Sequence, residues 1–484
     1  MPRLDRAFVI WAILIGAAAH SGHVAGQDQT PPKAIEIKPA NASGDTSPPR
    51  SLNPIEPAYP LEARTHRESG SVEITLTVDI DGLPKDIQVT KSSGRASLDQ
   101  AAREAVEKAT FAPAKQNGRP ISTTVVIPVN FRFRRSADSP AAAGDLPPPP
   151  KLEWKRLADL PDGRGFAGQF VGVSGGRLLL YGGTNFPDKP IWEGGAKRWY
   201  RDVYALDSLD AKWRKVGALD ATRAVGYGVA LTTKEGILCV GGADAAKHYD
   251  DVFFLNYDGE KLTTRDLPKL PKPCAYLAGV VSPDGRAVYV AGGTEKPDAV
   301  EALRTFWMLD LVKAERWVEL PAWQQEGRML STLGFDESRS TVVLVGGCSL
   351  ARGPDDKPVR TYSDAVWSFR VNRATQWKRR GDISAAGMVA SPSPPIYADK
   401  RLILFPGDDG TNIGFEPPEK HPGFSGLVFG FDYLSQSWTS LEKPPLVPVC
   451  TPVVPWQGGY VIASGEIRPS VRTVETWFVS LKTK

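Results

Sequence analysis

The most regular alternation of apolar and polar residues begins at Val72. Residues 72–78 keep this period of two, Asp81-Gly82 follows as a tight turn, and Ile87 and Val89 resume the alternation. A strand with one buried face has this period, because successive side chains point to opposite faces of a sheet. The pattern therefore predicts two strands joined in a β-hairpin.

A helix and a third strand are predicted to follow. Apolar residues from Leu98 to Val106 recur at helical spacing, and Ser97 stands where an N-cap residue is expected. After the Asn117-Gly118 turn, a third strand is predicted from Ile121 to Phe133. The order of strand, strand, helix and strand predicts a small α+β domain in which one helix covers the sheet.

The rest of the chain repeats one apolar pattern six times. Each time, a short apolar run ends in Gly-Gly or in a degraded form of that doublet. The doublets begin at residues 182, 241, 292, 346, 406 and 464. A repeat of about 50 residues is typical of β-propellers in which each repeat forms one four-stranded blade.

Tryptophan residues support the same interpretation. A second apolar strand follows each doublet, and four repeats then have a tryptophan, at Trp213, Trp317, Trp377 and Trp438. These features resemble the kelch repeat, which implies four strands per blade and a tryptophan packed between blades. The last repeat lacks its tryptophan strand, and residues 154–157 at the other end supply one. We therefore expect an all-β, six-bladed kelch propeller over residues 151–484, closed by joining its two ends.

Composition favours two folded domains separated by linkers. The chain has 484 residues, of which 41% are hydrophobic, and this is enough for more than one core. Residues 27–52 and 136–150 are rich in proline and in small or polar residues, so we interpret both as linkers around a first domain at residues 53–135. A net charge of +4, from 59 basic and 55 acidic residues, gives no reason to expect a nucleic acid partner.

The N-terminus, residues 1–26, has the features of an export signal. Arg3 and Arg6 precede an apolar run from Phe8 to Ala19, and small residues that a signal peptidase could cleave lie at its end and beyond it. The run is shorter than the ~20 residues of a spanning helix, so a cleaved signal is favoured and a retained membrane anchor stays open. Both alternatives predict an exported protein of the periplasm or cell envelope.

The first domain resembles the C-terminal domain of the TonB family. The resemblance is carried by Tyr59-Pro60, Val78–Gly82, Ser92–Gly94, Phe111–Ala114 and Ile127–Phe131. It implies the cell envelope, and it implies docking to an outer-membrane receptor by β-augmentation, in which an extended peptide joins the sheet edge. Energy-coupling members have a longer spacer and end with this domain, whereas here a long second domain follows. We therefore expect a docking module or an inert remnant.

Two loops beside the doublets break the repeat pattern and are the strongest candidates for chemistry. One is residues 182–195, which includes Asn185. The other, residues 465–473, brings Glu466, Arg468 and Arg472 together at a blade turn. By residue type alone, Glu466 and Arg472 could form a structural ion pair or a functional site.

Both loops resemble those of the kelch N-acetylneuraminate epimerase family, in a cyclically permuted form. The family's Gly-Glu-x-x-Pro-Gly-x-Arg-Thr loop matches Gly465 to Thr473, with Ser470 in place of the usual glycine. The resemblance implies that Glu466 is a general base and Arg472 its cationic partner in interconverting the anomers of sialic acid or a related sugar. A guanidinium can hold the sugar's carboxylate by a two-pronged contact. Such chemistry needs no metal and no organic cofactor.

Weaker candidates for substrate binding lie in the same loops or before the inner strands. Arg468 belongs to the loop of Glu466, and Asn185 and Asp408 directly follow doublets. Arginines that precede inner strands and could point into the channel are Arg164, Arg223 and Arg328.

Metal and redox chemistry are disfavoured. A copper-radical oxidase on the kelch fold needs histidine ligands, and the propeller has only His248 and His421. The four cysteines are widely spaced, so buried thiols are favoured, while a disulfide in an oxidising compartment stays open.

Two functions remain open from the sequence. The first is an exported mutarotase or epimerase acting on sialic acid or a related sugar. The second is a non-catalytic carbohydrate- or protein-binding propeller, docked through the TonB-like domain, whose Glu466–Arg472 pair is inherited. Ser470 slightly favours the second, because it puts a side chain where the family pattern leaves the backbone free.

Overall fold

A computed structural model gives the structure of most of the chain. It describes residues 38–39, 46–52, 55, 57, 70–131, 148–353, 357–383, 388–432 and 435–482. The predicted signal or anchor at residues 1–26 and most of both predicted linkers lie outside the described residues. The described residues belong to two compact units, one within His20–Asp138 and the other within Ser139–Lys484.

The described part of the first unit contains one helix and nine strands. The elements are β1 (Lys38–Pro39), β2 (Thr46–Ser47), β3 (Arg50–Ser51), β4 (Gly70–Val78), β5 (Pro84–Lys91), α1 (Ala96–Glu107), β6 (Phe111–Ala112), β7 (Ala114–Gln116), β8 (Arg119–Ile121) and β9 (Thr123–Phe131). The four longest elements, β4, β5, α1 and β9, have the predicted order of strand, strand, helix and strand, and six short strands add to it.

One antiparallel sheet with strand order β1-β9-β4-β5 forms the centre of this unit. Strands β4 and β9 pair along their whole length, and each buries alternate residues as the sequence period predicts. Helix α1 buries Leu98, Ala102 and Val106 in the same core as the inward residues of the sheet.

The prediction that Ser97 caps this helix is wrong. The helix begins at Ala96, and Arg95 is the N-cap residue without a capping side-chain hydrogen bond. Asp99 in the first turn accepts hydrogen bonds from the Ser92 and Ser93 hydroxyls and from Ser93 N, the last at 2.8 Å. This carboxylate ties the preceding loop to the helix and lies at the helix end that favours negative charge.

The second unit is built from strands β10 to β37. The first fourteen are β10 (Lys151–Arg156), β11 (Phe170–Ser174), β12 (Arg177–Tyr181), β13 (Thr184–Asn185), β14 (Arg198–Trp199), β15 (Asp202–Leu206), β16 (Arg214–Ala218), β17 (Val229–Thr233), β18 (Gly236–Val240), β19 (Val252–Tyr257), β20 (Leu262–Asp266), β21 (Ala278–Val281), β22 (Ala287–Ala291) and β23 (Phe306–Asp310). The next fourteen are β24 (Trp317–Glu319), β25 (Thr332–Asp336), β26 (Thr341–Val345), β27 (Cys348–Arg352), β28 (Pro358–Tyr362), β29 (Ala365–Arg370), β30 (Lys378–Asp382), β31 (Ile396–Ala398), β32 (Arg401–Leu404), β33 (Phe429–Asp432), β34 (Ser437–Ser440), β35 (Val454–Trp456), β36 (Gly459–Arg468) and β37 (Val471–Lys482).

These strands form six four-stranded sheets. Five are consecutive along the chain, in the orders β11-β12-β15-β16, β17-β18-β19-β20, β21-β22-β23-β24, β25-β26-β29-β30 and β31-β32-β33-β34. The sixth, β35-β36-β37-β10, combines the last three strands with the first strand of the unit. Two short ladders, β13-β14 and β27-β28, project from the first and fourth sheets between their second and third strands.

The closing strand comes from the predicted end of the unit, at Lys151–Arg156 where residues 154–157 were expected. Strand β10 pairs antiparallel with β37, from Lys151 opposite Lys482 to Arg156 opposite Trp477. Its Leu152 is 3% exposed and packs in one core with residues of the fifth and sixth sheets. The two ends of the unit are therefore joined by a strand ladder, which leaves no unpaired edge between them.

The four repeat tryptophans link neighbouring sheets, as predicted. Each indole Nε1 donates a hydrogen bond to the preceding sheet or to the segment that follows it, at 2.7–3.1 Å. The acceptors are Thr476 Oγ1 for Trp213, Pro268 O for Trp317, Pro321 O for Trp377 and Asp382 O for Trp438.

The sheets meet around a closed ring of six backbone hydrogen bonds. Each sheet contributes one residue from the segment that precedes its first strand. The N–H of this residue donates a hydrogen bond to the carbonyl oxygen of the corresponding residue in the neighbouring sheet, at 2.7–2.9 Å. All six have φ between 55° and 67°. We call them the ring residues; in order they are Gly168, Tyr227, Tyr276, Leu330, Ala390 and Cys450.

The ring surrounds a cavity of about 90 Å³ that is lined by the first strand, or the segment just before it, of all six sheets. An all-β unit whose sheets share one axial cavity is consistent with a β-propeller. Residues of every sheet therefore meet at this cavity.

Replacing Leu152 with Ala should destabilise this unit by about 2–5 kcal/mol, because it removes a buried contact between the closing strand and the fifth sheet. Chemical denaturation of the full chain, followed by tryptophan fluorescence, measures this change. Lys151→Ala is the matched control, since Lys151 is exposed on the same strand. Equal stability of both variants would mean that the closing strand does not contribute to holding the unit together.

Candidate active site

The last hairpin of the chain places a buried carboxylate against a guanidinium. Strands β36 and β37 continue past the doublet position and join in a tight turn at Pro469-Ser470, so that Glu466 and Arg472 are direct cross-strand partners. Arg472 Nη2 lies 3.1 Å from Glu466 Oε2, and each side chain is 2% exposed. The spacing of six residues in the sequence thus becomes a contact in the structure.

The turn holds the carboxylate from the backbone. Ser470 has φ +63°, and its N–H donates a hydrogen bond to Glu466 Oε1 at 3.0 Å. Gly165 lies so close to β37 that a Cβ there would come within 2.2 Å of Thr473 O. Because Ser470 keeps the left-handed backbone that suits glycine, the departure from the family pattern leaves the turn and its N–H donor in place.

The ion pair does not exhaust the hydrogen-bonding capacity of its two groups. The 3.1 Å contact has the length of a hydrogen bond but not its alignment, and Glu466 Oε2 and all three guanidinium nitrogens lack an aligned partner among the described residues. Burial lowers the pKa of Arg472, but the Glu466 carboxylate and the Tyr227 hydroxyl outweigh it, so that this pKa is raised. Buried polar groups are normally hydrogen-bonded, so these are the atoms that a polar ligand would satisfy.

Glu466 occupies a position that recurs in every sheet. The residue just after each doublet forms a β-bridge with the residue just before a ring residue. The six residues at this position are Thr184, Ala243, Thr294, Cys348, Asp408 and Glu466. The two carboxylates therefore lie at equivalent places in the fifth and sixth sheets.

Asp408 is held by the ladder of the fourth sheet. Its carboxylate accepts hydrogen bonds from the Tyr362 hydroxyl and, at 3.0 Å, from Gly410 N. Burial raises the pKa of Asp408, against the effect of these hydrogen bonds. His421 interacts electrostatically with both Asp408 and Glu466, and burial lowers its pKa.

Aromatic side chains form the wall beside Arg472. Its guanidinium carbon lies 4.9 Å from the ring centroid of Phe186, which directly follows β13. The ring residues Tyr227 and Tyr276 contact each other at 4.9 Å between centroids, and Trp199 of β14 contacts Tyr227 at 5.8 Å. Tyr227 also lines the axial cavity, so the aromatic wall connects the ion pair to that cavity.

Lys197 lies among these aromatic side chains, and the sequence analysis did not identify it as a site residue. Its Nζ lies 5.1–6.0 Å from the ring centroids of Phe186, Trp199 and Tyr227. Burial, followed by repulsion from Arg472, lowers the pKa of Lys197 to about 7. The only signal in the sequence was its place two residues beyond the loop at 182–195, because a single lysine in a loop carries no motif.

Two of the weaker candidates lie near the site. Asn185 is buried, and its Oδ1 accepts a hydrogen bond from the Tyr200 hydroxyl at 2.7 Å. Arg468, in the turn region of the last hairpin, donates from Nη1 to Glu419 O at 3.1 Å. Both side chains thus have structural partners within the loops that surround the site.

The structure does not bring the other three arginines into contact with Glu466. Arg164 lies 3.7 Å from Asp202 Oδ2, and Arg223 lies 2.7 Å from Asp266 Oδ1. Arg328 is buried and donates to Gly346 O and Ala365 O at 3.2 and 3.0 Å and to Gln325 Oε1 at 3.2 Å. A guanidinium before an inner strand also reaches side chains and carbonyls away from the channel, and the sequence pattern does not distinguish these directions.

The cysteines and histidines have structural surroundings. All four cysteines are free thiols, three of them buried. His248 is buried and donates from Nδ1 to Thr294 O at 2.9 Å, while His421 Nδ1 accepts from Gly423 N at 3.0 Å. Within the described residues, no group of three or more His, Cys, Asp or Glu side chains could hold a metal ion.

Two protein families match separate parts of the chain. Residues 147–264 match the model of the N-acetylneuraminate epimerase family, and residues 55–133 match that of the Gram-negative bacterial TonB protein C-terminal domain. Both family resemblances are confirmed for these residues, and the loop at 465–473 lies outside the epimerase match. The second match indicates a protein of the Gram-negative envelope. In the described part of the chain, no helix has the length and apolar character needed to cross a membrane.

Individual relatives cover limited parts of the chain. An N-acetylneuraminate epimerase of Pasteurella multocida is 35% identical over 28% of this chain and 40% of its own length, and one of Haemophilus influenzae is 37% identical over 23% and 33%. Protein tonB2 of Pseudomonas aeruginosa is 40% identical over 16% of this chain and 28% of its own length. The chain thus spans less than half the length of these relatives. The solved structure of YjhT covers 67% of this chain and 99% of its own, with 14% identity and a TM-score of 0.48.

Replacing Ser470 with Gly should raise the free energy of unfolding by up to about 1 kcal/mol, because glycine adopts a positive φ without steric cost. Urea denaturation of the full chain measures this change. Ser470→Pro is the contrasting variant, since it removes the N–H donated to Glu466 and cannot adopt a positive φ; it should lose more than about 1 kcal/mol. A loss of stability in Ser470→Gly would contradict the role assigned to the turn.

Proposed function

We propose that the second unit is a six-bladed kelch propeller at residues 151–484 that interconverts the anomers of sialic acid or a related acidic sugar. The observation that carries this proposal is the Glu466–Arg472 contact of 3.1 Å between two buried side chains, of which Arg472 interacts with Tyr227 and Cys450 in the lining of the axial cavity. The epimerase-family match and its named relatives support the reaction class. In this proposal the chain has the permuted order, with the active loop in its last repeat.

Arg472 is proposed to bind the carboxylate of the sugar. A guanidinium can hold a carboxylate by two parallel hydrogen bonds. The nitrogens of Arg472 lie near Glu466 and the Tyr227 hydroxyl, but none makes a well-aligned hydrogen bond among the described residues. An acidic sugar would thus exchange places with Glu466 as the counter-ion of Arg472. Since both side chains are 2% exposed, the sugar binds only if side chains above them, such as Phe186, move outward.

Glu466 is proposed to be the general base. Once the sugar carboxylate has taken its place on Arg472, the Glu466 carboxylate can accept the proton of the anomeric hydroxyl. The Ser470 N–H keeps one carboxylate oxygen in place, so that Oε2 is the oxygen directed at the ligand. Proton transfer of this kind contributes roughly 10²–10⁴-fold to a rate.

Other polar groups are proposed to complete the sugar-binding surface. Asn185, Arg468 and Asp408 all lie two to four residues after the first residue of a doublet, although each has a partner within the protein. Arg164, Arg223 and Arg328 were candidates from the sequence, and their protein partners favour a structural role.

A binding protein without catalysis is the second candidate. Glu466 and Arg472 would form the same buried ion pair if their role were only structural. In that case the same cavity would hold a carbohydrate or peptide without accelerating any reaction.

The first unit, residues 53–135, is proposed to dock the exported protein in the periplasm. In the TonB family this domain lends a sheet edge to an extended peptide, and here β5 is an edge strand whose residues are mostly exposed. Binding of purified outer-membrane receptors should be lost when residues 53–135 are deleted and retained in Lys151→Ala. Equal binding with and without residues 53–135 would contradict docking.

The wild-type protein should speed the appearance of the β anomer after α-N-acetylneuraminate is dissolved, as followed by proton NMR. Glu466→Gln should lower this acceleration by about 10²-fold or more, because the amide cannot accept the proton. Glu475→Gln is the matched control, since Glu475 lies on the same hairpin with its side chain 26% exposed.

The outcomes separate the two candidates. Acceleration that is lost in Glu466→Gln and kept in Glu475→Gln supports the mutarotase. Sugar binding by calorimetry with no acceleration by the wild type selects the binding protein. Neither binding nor acceleration would reject both for this sugar.

A further inference from the structure

Lys197 shares an aromatic neighbour, Phe186, with Arg472 of the buried ion pair. The ladder of β13 and β14 pairs Asn185 with Arg198, so Phe186 and Lys197 are the next residues at its open end. The same Phe186 ring contacts both cations, at 4.9 Å from the Arg472 guanidinium carbon and 6.0 Å from Lys197 Nζ. The amine is thus held beside the site by the ladder and by three aromatic rings.

Several titratable or charged groups face the amine. Arg472 and Glu466 come from the last hairpin, Cys450 and Tyr227 from the ring, and Arg360 from β28. Burial raises the pKa of the Cys450 thiol to about 12, and it also raises the pKa of the Tyr227 hydroxyl well above its usual value. Both groups therefore stay protonated and are poor proton donors at neutral pH. Arg360 and Arg472 keep their protons permanently.

Ring opening of the sugar needs a donor as well as an acceptor of protons. The Glu466 carboxylate would take the proton of the anomeric hydroxyl, the bond between the anomeric carbon and the ring oxygen would break, and a carbonyl would form. The ring oxygen leaves with a proton that it must receive from a second group. Closure on the other face of the carbonyl returns both protons, so no oxidant, reductant or co-reactant is consumed.

We propose that Lys197 is this second group: its ammonium donates the proton to the ring oxygen and recovers it on closure. The assignment rests on the proposed function. Burial and the charge of Arg472 both disfavour the ammonium form, so the amine can exchange its proton near neutral pH. A pKa of about 7 lets both protonation states exist at neutral pH, which suits a proton donor that must also be reprotonated.

The first test is the rate in variants of Lys197. Lys197→Met should lower the acceleration of mutarotation at pH 7 by about 10²-fold or more while the far-ultraviolet circular dichroism stays unchanged. Lys189→Met is the matched control, because Lys189 is exposed on the same excursion between β13 and β14. Its rate should equal that of the wild type.

The second test is the pH profile between pH 5.5 and 8.5, with the buffer rate subtracted. The ammonium is the active form, so the wild-type acceleration should fall as the pH rises through about 7. Lys197→Arg keeps the positive charge and the aromatic contacts but cannot release a proton in this range, so it should be slow and should lack this fall.

The outcomes distinguish this inference from the function on which it rests. Loss of acceleration in Glu466→Gln with wild-type rates in Lys197→Met would overturn the role of Lys197 alone. A fall near pH 7 that persists in Lys197→Arg would assign the titration to another group and would also overturn it. No acceleration by the wild type would reject both proposals.

Discussion

The ring of six backbone hydrogen bonds fixes the geometry on which the candidate site depends. Each ring residue bonds to the ring residue of the next sheet, and the bond from Gly168 to Cys450 closes the circle at 2.8 Å. The positive φ of these residues turns the chain at the same place in every repeat. Because five of the six are not glycine, the closed circle must outweigh a local backbone cost that such residues normally avoid.

The candidate site arises where the residue type changes at one position that recurs in every sheet. The residue after each doublet is bridged to the segment before a ring residue, and four of the six are the small or apolar residues Thr184, Ala243, Thr294 and Cys348. Asp408 and Glu466 replace them in the fifth and sixth sheets. In the sixth sheet, the usual long connection after the doublet is also shortened to a hairpin, which brings Arg472 opposite the carboxylate.

The repeated features could be predicted from the sequence because each is a local signal that recurs. The doublets, the tryptophans and the closing strand, which was predicted at residues 154–157 and is found at Lys151–Arg156, all fall into this class. The contact between Glu466 and Arg472 occurs in one repeat only, and the sequence suggests it because both residues lie at one blade turn. The directions of Arg164, Arg223 and Arg328 could not be predicted, because their partners come from distant parts of the chain or from carbonyl groups. The place of Lys197 beside Arg472 depends on how the first and sixth sheets meet across the closure.

A crystal structure of the wild-type protein with N-acetylneuraminate bound tests the central claim most directly. We expect the sugar carboxylate to replace Glu466 as the partner of Arg472, with the anomeric hydroxyl at Glu466 and the ring oxygen facing Lys197. A sugar bound elsewhere, with the contact between Arg472 Nη2 and Glu466 Oε2 still at 3.1 Å, would contradict it.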